Sequence, residues 1–308
     1  MRFTYSYLVA ADSGDFLIID PGMRSARGAE QLERGIAQAG LDLARLRGVV
    51  VTHFHPDHLG AAQELATRTG AWLGMHPREA AFFDPGEHSD LFARDRSWLM
   101  GCGIPREVQD RLVMTPLTFA DAFSGANPDR LLDDGAMLEL EGRNLEVLWT
   151  PGHTAGHICI IDHDERLVFS GDHILPRITP NVGVDTHDPD RDAIAQYYDS
   201  LEQVSSWPDY EICPAHEYRF RGIDTRADEL RRHQEARSAE VAALLASDPD
   251  TSVWDVARRL TWSRGWESLD GQNLRSALAE TSSHINHLRT PEADRWRRMD
   301  DPHNRLTA

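Results

Sequence analysis

Residues 53–58 read His-Phe-His-Pro-Asp-His, three imidazoles and a carboxylate in six consecutive positions. Imidazole nitrogen and carboxylate oxygen are the donors that suit zinc and the neighbouring divalent transition metals. A polar surface loop that happens to be rich in histidine is the bland alternative. The preceding residues weigh against it, because Gly48 to Thr52 is an apolar, β-branched run of the kind that forms a buried strand. A strand that ends abruptly in a turn throws several side chains to one point beyond its C-terminal end, and Pro56 stiffens that turn. The stretch is half of a metal cage.

Three further turns of the same kind follow along the chain. His153 lies in Pro151-Gly152-His153-Thr154-Ala155-Gly156-His157 after an expected strand from Leu145 to Thr150, and Asp172 follows one from Leu167 to Ser170. His216 ends Pro214-Ala215-His216, directly after Glu211 to Cys213. Together with His53, His55, Asp57 and His58 these make five imidazoles and two carboxylates. That is too many for one tetrahedral zinc and suits two metals that share a ligand.

The elements that must hold these turns alternate in an α/β rhythm. Strands are expected at Tyr5 to Ala10, Phe16 to Ile19, Ala71 to Met75, Gly135 to Leu140 and Ile158 to Ile161, besides those that carry the turns. Helices are expected from Ala26 to Ala39, closed by Gly40, from Leu59 to Ala66 and from Arg191 to Val204. Residues 77–130 break this rhythm with prolines, glycines and aromatics, among them Pro85, Phe82, Phe83, Phe92, Trp98, Pro116 and Phe119. The aromatics read first as the core of an inserted segment, and second as a lid over the metals. Beyond residue 222 the composition turns to charged helices, at Arg226 to Leu245, Val253 to Leu260 and Asn273 to Leu288. The expected division is a catalytic domain at 1–222 and a helical domain at 223–308.

The 308 residues carry 32 Lys+Arg against 50 Asp+Glu, a net charge of -18. Such a surface repels phosphate backbones and anionic membranes on average and favours a small-molecule substrate. Cys102, Cys159 and Cys213 are too few and too scattered for a disulfide framework. With no apolar leader in Met1 to Tyr7 and no bilayer-length apolar run, a cytoplasmic setting is expected.

In this order and strand context, HxHxDH, PGHTxGH, SGD and PAH resemble the metallo-β-lactamase superfamily over residues 5 to 222. The resemblance implies an α/β fold, the four-layer αβ/βα sandwich, followed by a small winged-helix-like C-terminal domain, here without an evident β wing. It also implies roles. His53, His55 and His153 would take one metal, and Asp57, His58 and His216 the other. Asp172 would bridge two divalent ions, zinc first and iron or manganese as alternatives. Aspartate at the bridge is similar to the glyoxalase II, lactonase and nuclease branches and disfavours antibiotic hydrolysis. His157 and His173 are expected to support ligands without touching metal.

The implied chemistry is hydrolysis by a metal-bridging hydroxide that Asp57 aims. A thioester of the acyl-CoA or acyl-glutathione kind is the leading substrate, because a thiol leaves without a dedicated acid. Arg219, Arg221 and His284 are candidate substrate contacts. The alternatives are a lactonase and an endoribonuclease similar to β-lactamase-like protein 2. The nuclease would need Arg226, Arg231, Arg232 and Arg237 to line one basic face. The helical tail is also the expected seat of any homodimer contact.

Overall fold

The computed structural model of the protein describes residues 3–84, 86, 88–115, 126–184 and 188–291. Pro85, Pro116, Phe119, His187, His303 and the tail beyond residue 291 lie outside these.

Two sheets form the centre. The first contains β1 (Tyr7–Ala10), β2 (Phe16–Ile19), β3 (Leu46–Val50), β4 (Trp72–Met75) and β5 (Arg130–Leu131) in that spatial order. Its strands run parallel except for the β1–β2 hairpin. The second contains β6 (Met137–Leu138), β7 (Leu145–Trp149), β8 (Ile158–Asp162), β9 (Leu167–Gly171) and β10 (Glu211–Pro214). It is ordered from β10 to β6 and is antiparallel apart from the β9–β10 pair. The helices are α1 (Ala26–Gln38), α2 (Pro56–Leu59), α3 (Ala62–Thr69), α4 (Pro77–Ala80), α5 (His88–Gly101), α6 (Arg106–Leu112), α7 (Ala193–Val204), α8 (Ile223–Ser247), α9 (Val253–Arg259) and α10 (Gly271–Leu288).

The period of two along a strand explains the four layers. On β2, Leu17 and Ile19 face the second sheet, where they meet Val147, Ile158, Ile160 and Phe169. Phe16 and Ile18 face outward onto Ile36 of α1 and Leu65 of α3. On β8, Cys159 and Ile161 face outward onto α7 and α8 through Ile194, Tyr197, Leu201 and Leu230. The strands read as continuous apolar runs because both of their faces are covered.

The helix expected from Leu59 begins instead as the single turn α2, with Pro56 in its first turn, and restarts at Ala62 as α3. Proline there costs no hydrogen bond, since the first amides of a helix have no internal acceptor. The strand expected from Gly135 to Leu140 shortens to β6, and β5 adds a two-residue edge that sequence periodicity misses.

Beyond Gly222 the described residues contain helices and no strand. These helices are not independent of the 77–130 segment. Leu99, Cys102, Ile104 and Leu112 share one apolar cluster with Ala257, Leu274 and Leu278, and Arg275 pairs with the buried Asp95. Phe82 and Phe83 pack into the first-sheet cluster, with Phe82 stacked on Phe54 at 4.3 Å between ring centres. The three cysteines are buried and unpaired, and burial raises their pKa values to between about 11 and about 12. No helix of the described residues is long and apolar enough to cross a membrane.

His284 is fully buried, with Nδ1 2.9 Å from Ser238 Oγ across the α8–α10 contact. Burial first, and then the positive charge of Arg237, lowers its pKa to about 3. The unfolded chain therefore binds a proton between the ordinary value of 6.5 and about 3 that the folded chain refuses. The stability tied to neutral His284 is complete above the upper value and is lost as pH falls through that window. Thermal denaturation followed by circular dichroism should show the midpoint of the wild type falling a few degrees further between pH 6.5 and 4 than that of His284→Asn. Parallel slopes would refute this.

Candidate metal centre

Four strands deliver the site at their C-terminal ends. β3 leads into His53, His55, Asp57 and His58, β7 into His153, β9 into Asp172, and β10 into His216. Gly171 makes the third delivery possible. Its φ is +47°, and a Cβ there would lie 2.7 Å from both His157 Nε2 and Thr52 Oγ1.

All seven side chains meet in one place. His53 Nε2 is 2.9 Å and His153 Nε2 3.0 Å from His55 Nδ1. On the other side, His216 Nε2 lies 3.5 Å from Asp57 Oδ2 and 3.3 Å from Asp172 Oδ1, and His58 Nε2 lies 3.8 Å and 3.7 Å from the same two atoms. Asp172 Oδ2 turns the other way, 3.9 Å from His153 Nε2. Its two oxygens thus face the two groups of ligands. Two donors about 2.1 Å from one tetrahedral ion stand roughly 3.4 Å apart, and the separations here run from 2.9 to 3.9 Å around that value.

Outer hydrogen bonds fix which ring nitrogen carries the proton. Thr52 Oγ1 donates to Asp20 Oδ2 at 2.7 Å, so it accepts from His53 Nδ1 at 3.0 Å. His58 Nδ1 donates to Asp20 at 2.8 Å, His153 Nδ1 to the Asn181 carbonyl at 2.7 Å, and His216 Nδ1 to the Phe3 carbonyl at 2.9 Å. Four Nε2 atoms are left with bare lone pairs aimed inward. His58 Nε2, His216 Nε2 and Asp172 Oδ1 are buried without a hydrogen-bond donor or acceptor. Lone pairs converging at this distance repel one another unless a cation lies among them, so the donor set fits a pair of divalent metals.

Without a cation the electrostatics divide the imidazoles, burial favouring neutral rings at His53 and His55 and the carboxylates favouring protonated rings at His58 and His216. Burial, followed by the neighbouring imidazoles, drives the pKa values of His53 and His55 well below the ordinary range. Burial pushes His58 down as well, but the Asp20 and Asp172 carboxylates outweigh it and raise its pKa to about 9. Asp172 is lowered despite its burial, because His58, His216 and His153 surround it. A metal entering such a site would have to displace these protons.

His157 and His173 point elsewhere. His157 Nε2 accepts the Asp172 backbone amide at 3.2 Å while Nδ1 meets Thr150 Oγ1 at 2.9 Å, so it braces the turn that carries Asp172. His173 packs edge-on to Tyr197, and its pKa is depressed to about 3 by burial.

The candidate substrate contacts are not brought together with the metal-ligand residues. At Glu217 the backbone takes a φ of +72° and the chain reverses, so that Phe220 pairs antiparallel with Ile212. Arg219 and Arg221 are thereby carried back to the start of β10, where both pair with Glu211. Their nearness to His216 in sequence is undone by that turn. His284 lies in the packing between α8 and α10, as described above.

Two acids escaped the sequence reading. Asp20, in a segment read only as a sheet breaker, is buried with φ +53° and accepts from Thr52 N, Thr52 Oγ1 and His58 Nδ1. Glu79 is buried too, and accepts from Phe54 N, Thr154 Oγ1 and Gly156 N, which ties the first ligand turn to the second. An acid directly after an apolar strand was the available signal for Asp20; Glu79 had none.

A profile described as the metallo-beta-lactamase superfamily matches residues 1–216. The chain belongs to the metallo-β-lactamase superfamily. It is 30% identical to a probable metallo-hydrolase of Burkholderia pseudomallei over 261 residues, 76% of this chain and 77% of that one. It is 32% identical to a hydroxyacylglutathione hydrolase of Haemophilus influenzae over 167 residues, which cover 54% of this chain and 64% of the relative. The crystal structure of a metallo-β-lactamase family protein from Thermus thermophilus superposes with a TM-score of 0.77 at 25% identity, covering 93% of this chain and 88% of that one. That breadth takes in the helical tail as well as the superfamily domain.

Removing an outer partner of a metal-bound histidine typically weakens metal binding about 10- to 100-fold. Asp20→Asn should do so here, read by competition with a zinc chelator, while the circular dichroism spectrum keeps its shape. Unchanged affinity would show that Asp20 does not orient His58.

Proposed function

We propose that this superfamily member is a dinuclear metal-dependent hydrolase acting on a thioester or a similarly activated ester. The observation that carries the reading is the convergence of five imidazoles and two carboxylates, with the tautomers of four of the imidazoles set from outside. His53, His55 and His153 would hold one ion and Asp57, His58 and His216 the other, with Asp172 placed to serve either. Zinc suits these donors best. Divalent cations held there supply a water of lowered pKa and polarise the oxygen of the scissile carbonyl.

The chain's own residues supply the orientation. The Asp57 side chain keeps 32% of its surface open, in contrast to the fully buried His58 beside it. Its Oδ2 accepts from Thr4 Oγ1 at 3.2 Å, which leaves Oδ1 to receive a proton or a hydrogen bond from an entering water. A thiol leaving group has a pKa of about 8.5 and departs as thiolate without an acid. That suits a site whose imidazoles are committed to lone-pair donation.

The substrate class draws support from the hydroxyacylglutathione hydrolase relative. The nuclease alternative needs Arg226, Arg231, Arg232 and Arg237 to line one free basic face, and each of these four is engaged within the chain. Arg226 is tied to Glu229 and to the Leu175 and Ile178 carbonyls, Arg231 to Glu235, Arg232 to the Asp228 carbonyl, and Arg237 to Glu240 and the Thr261 carbonyl. In this reading residues 1–222 form the catalytic unit, with the helices from 223 bracing it, and the three unpaired cysteines suit a reducing cytoplasm.

Metal content by mass spectrometry, combined with hydrolysis of an acyl-CoA, acyl-glutathione, lactone and RNA panel, tests the proposal. The expected result is two metals per wild-type chain and thioester turnover that falls about 10²- to 10⁴-fold in Asp57→Asn, the range for loss of a positioned acid or base. Cleavage of RNA alone would move the function to the nuclease branch. A wild-type chain without metal would overturn the mechanism.

A further inference from the structure

His153 differs from the other ligands in what stands behind it. Its Nδ1 donates at 2.7 Å to the carbonyl of Asn181, in the segment between β9 and α7. The Asn181 side chain in turn grips the C-terminal helix, with Nδ2 donating to the Ser276 carbonyl at 3.2 Å and to Glu280 Oε2 at 2.9 Å. Beside it Val184 N donates to the Ala279 carbonyl at 3.3 Å, and Gly183 fits so closely that a Cβ would stand 3.0 Å from that of Ala279. Buried Arg191 closes the arrangement by donating to the carbonyls of both Gly183 and Gly152, the latter next to His153.

No such route serves the other ligands with a defined outer partner. His53 and His58 rest on Thr52 and Asp20, and His216 rests on the Phe3 carbonyl, all within residues 3–216. Among the described residues the tail therefore reaches the Nδ1 acceptor of His153, whereas the acceptors for His53, His58 and His216 belong to residues 3–216. Glu280 suits the task, because its side chain is only 14% exposed and its second oxygen faces Arg237 of α8 at 3.7 Å.

We propose that Asn181 and Glu280 are positioning residues through which the C-terminal helix α10 sets the affinity of the His53–His55–His153 metal site. The proposal rests on the dinuclear reading given above. It gives the helical tail a task at the metal centre that requires no contact with substrate. A carbonyl held at the right place and angle keeps His153 in the tautomer with Nε2 free. When the Asn181 side chain is released from the helix, that carbonyl drifts and the ring loses its aim.

The test uses the full-length chain loaded with zinc. Release of the two ions to a colorimetric chelator is compared for wild type, Asn181→Ala, Glu280→Ala and Glu280→Gln, with thermal midpoints recorded in parallel. Asn181→Ala and Glu280→Ala should loosen one ion about 10- to 100-fold and leave the other unchanged. Glu280→Gln keeps an acceptor oxygen for Asn181 and should stay near wild type. His153→Ala should lose the same ion, and adding Asn181→Ala to it should not affect the remaining one.

If both ions loosen equally in step with the thermal midpoint, the residues are structural only and the proposal fails. It also fails if wild type and folded variants hold both ions equally tightly, in which case the dinuclear reading survives. A wild type that takes up no zinc overturns that reading and this inference together.

Discussion

Everything in this protein depends on keeping like-natured donor atoms close together where water cannot separate them. Four imidazole nitrogens with bare lone pairs, a fifth imidazole and two carboxylates converge in a largely buried space. Left alone, such groups would rotate apart, protonate or hydrogen-bond to one another. Each outward-facing nitrogen of His53, His58, His153 and His216 is instead held by an acceptor, and those acceptors sit in the segments that connect the packed strands and helices. The arrangement is costly without a cation and favourable with one, so folding and metal uptake are linked.

The sandwich supplies the required rigidity. Strands covered on both faces cannot slip by one residue without turning their whole apolar set to the wrong layer. The ends of β3, β7, β9 and β10 are thereby fixed relative to one another. Direct ties across the site reinforce this. The Ile158 amide donates to the Thr52 carbonyl at 3.0 Å and links the two sheets, and Glu79 joins the first two ligand turns. The outer layer adds its own constraint, since α7 and α8 pack on the second sheet and α10 packs on both of them, and Asp192 caps α7 while receiving His287 and Thr290 from the end of α10.

The acidity of the chain also takes on a local meaning. Acids neutralise neighbouring arginines along the surface, Glu211 of β10 beside Arg219, and Glu229 and Glu240 of α8 beside Arg226 and Arg237. Buried acids are few and each has a partner set. Asp20 serves His58 and Thr52, Glu79 serves backbone amides, Asp95 serves Arg275, and Asp162 serves Arg143. The buried arrangement at the centre is completed by the metal ions proposed for it.

What the sequence determined by itself is the chemistry of the ligand turns and the α/β order of the chain. Ligand-type residues directly after apolar runs are a local signal, and the strands and long helices follow from apolar periods of two and 3.6 residues. Tertiary structure decided whatever depends on a long-range contact. Glu79 became a brace because α4 lies against two loops far from it in sequence, and Asp20 became the partner of His58 because β2 and β3 are neighbours. Arg219 and Arg221 left the site because one reversal at Glu217 sent them back along β10, and His284 was withdrawn into the packing of α8 on α10. Nearness along the chain predicts nearness in space only while the backbone continues in one direction. Where it turns, only the packed structure tells which side chains meet.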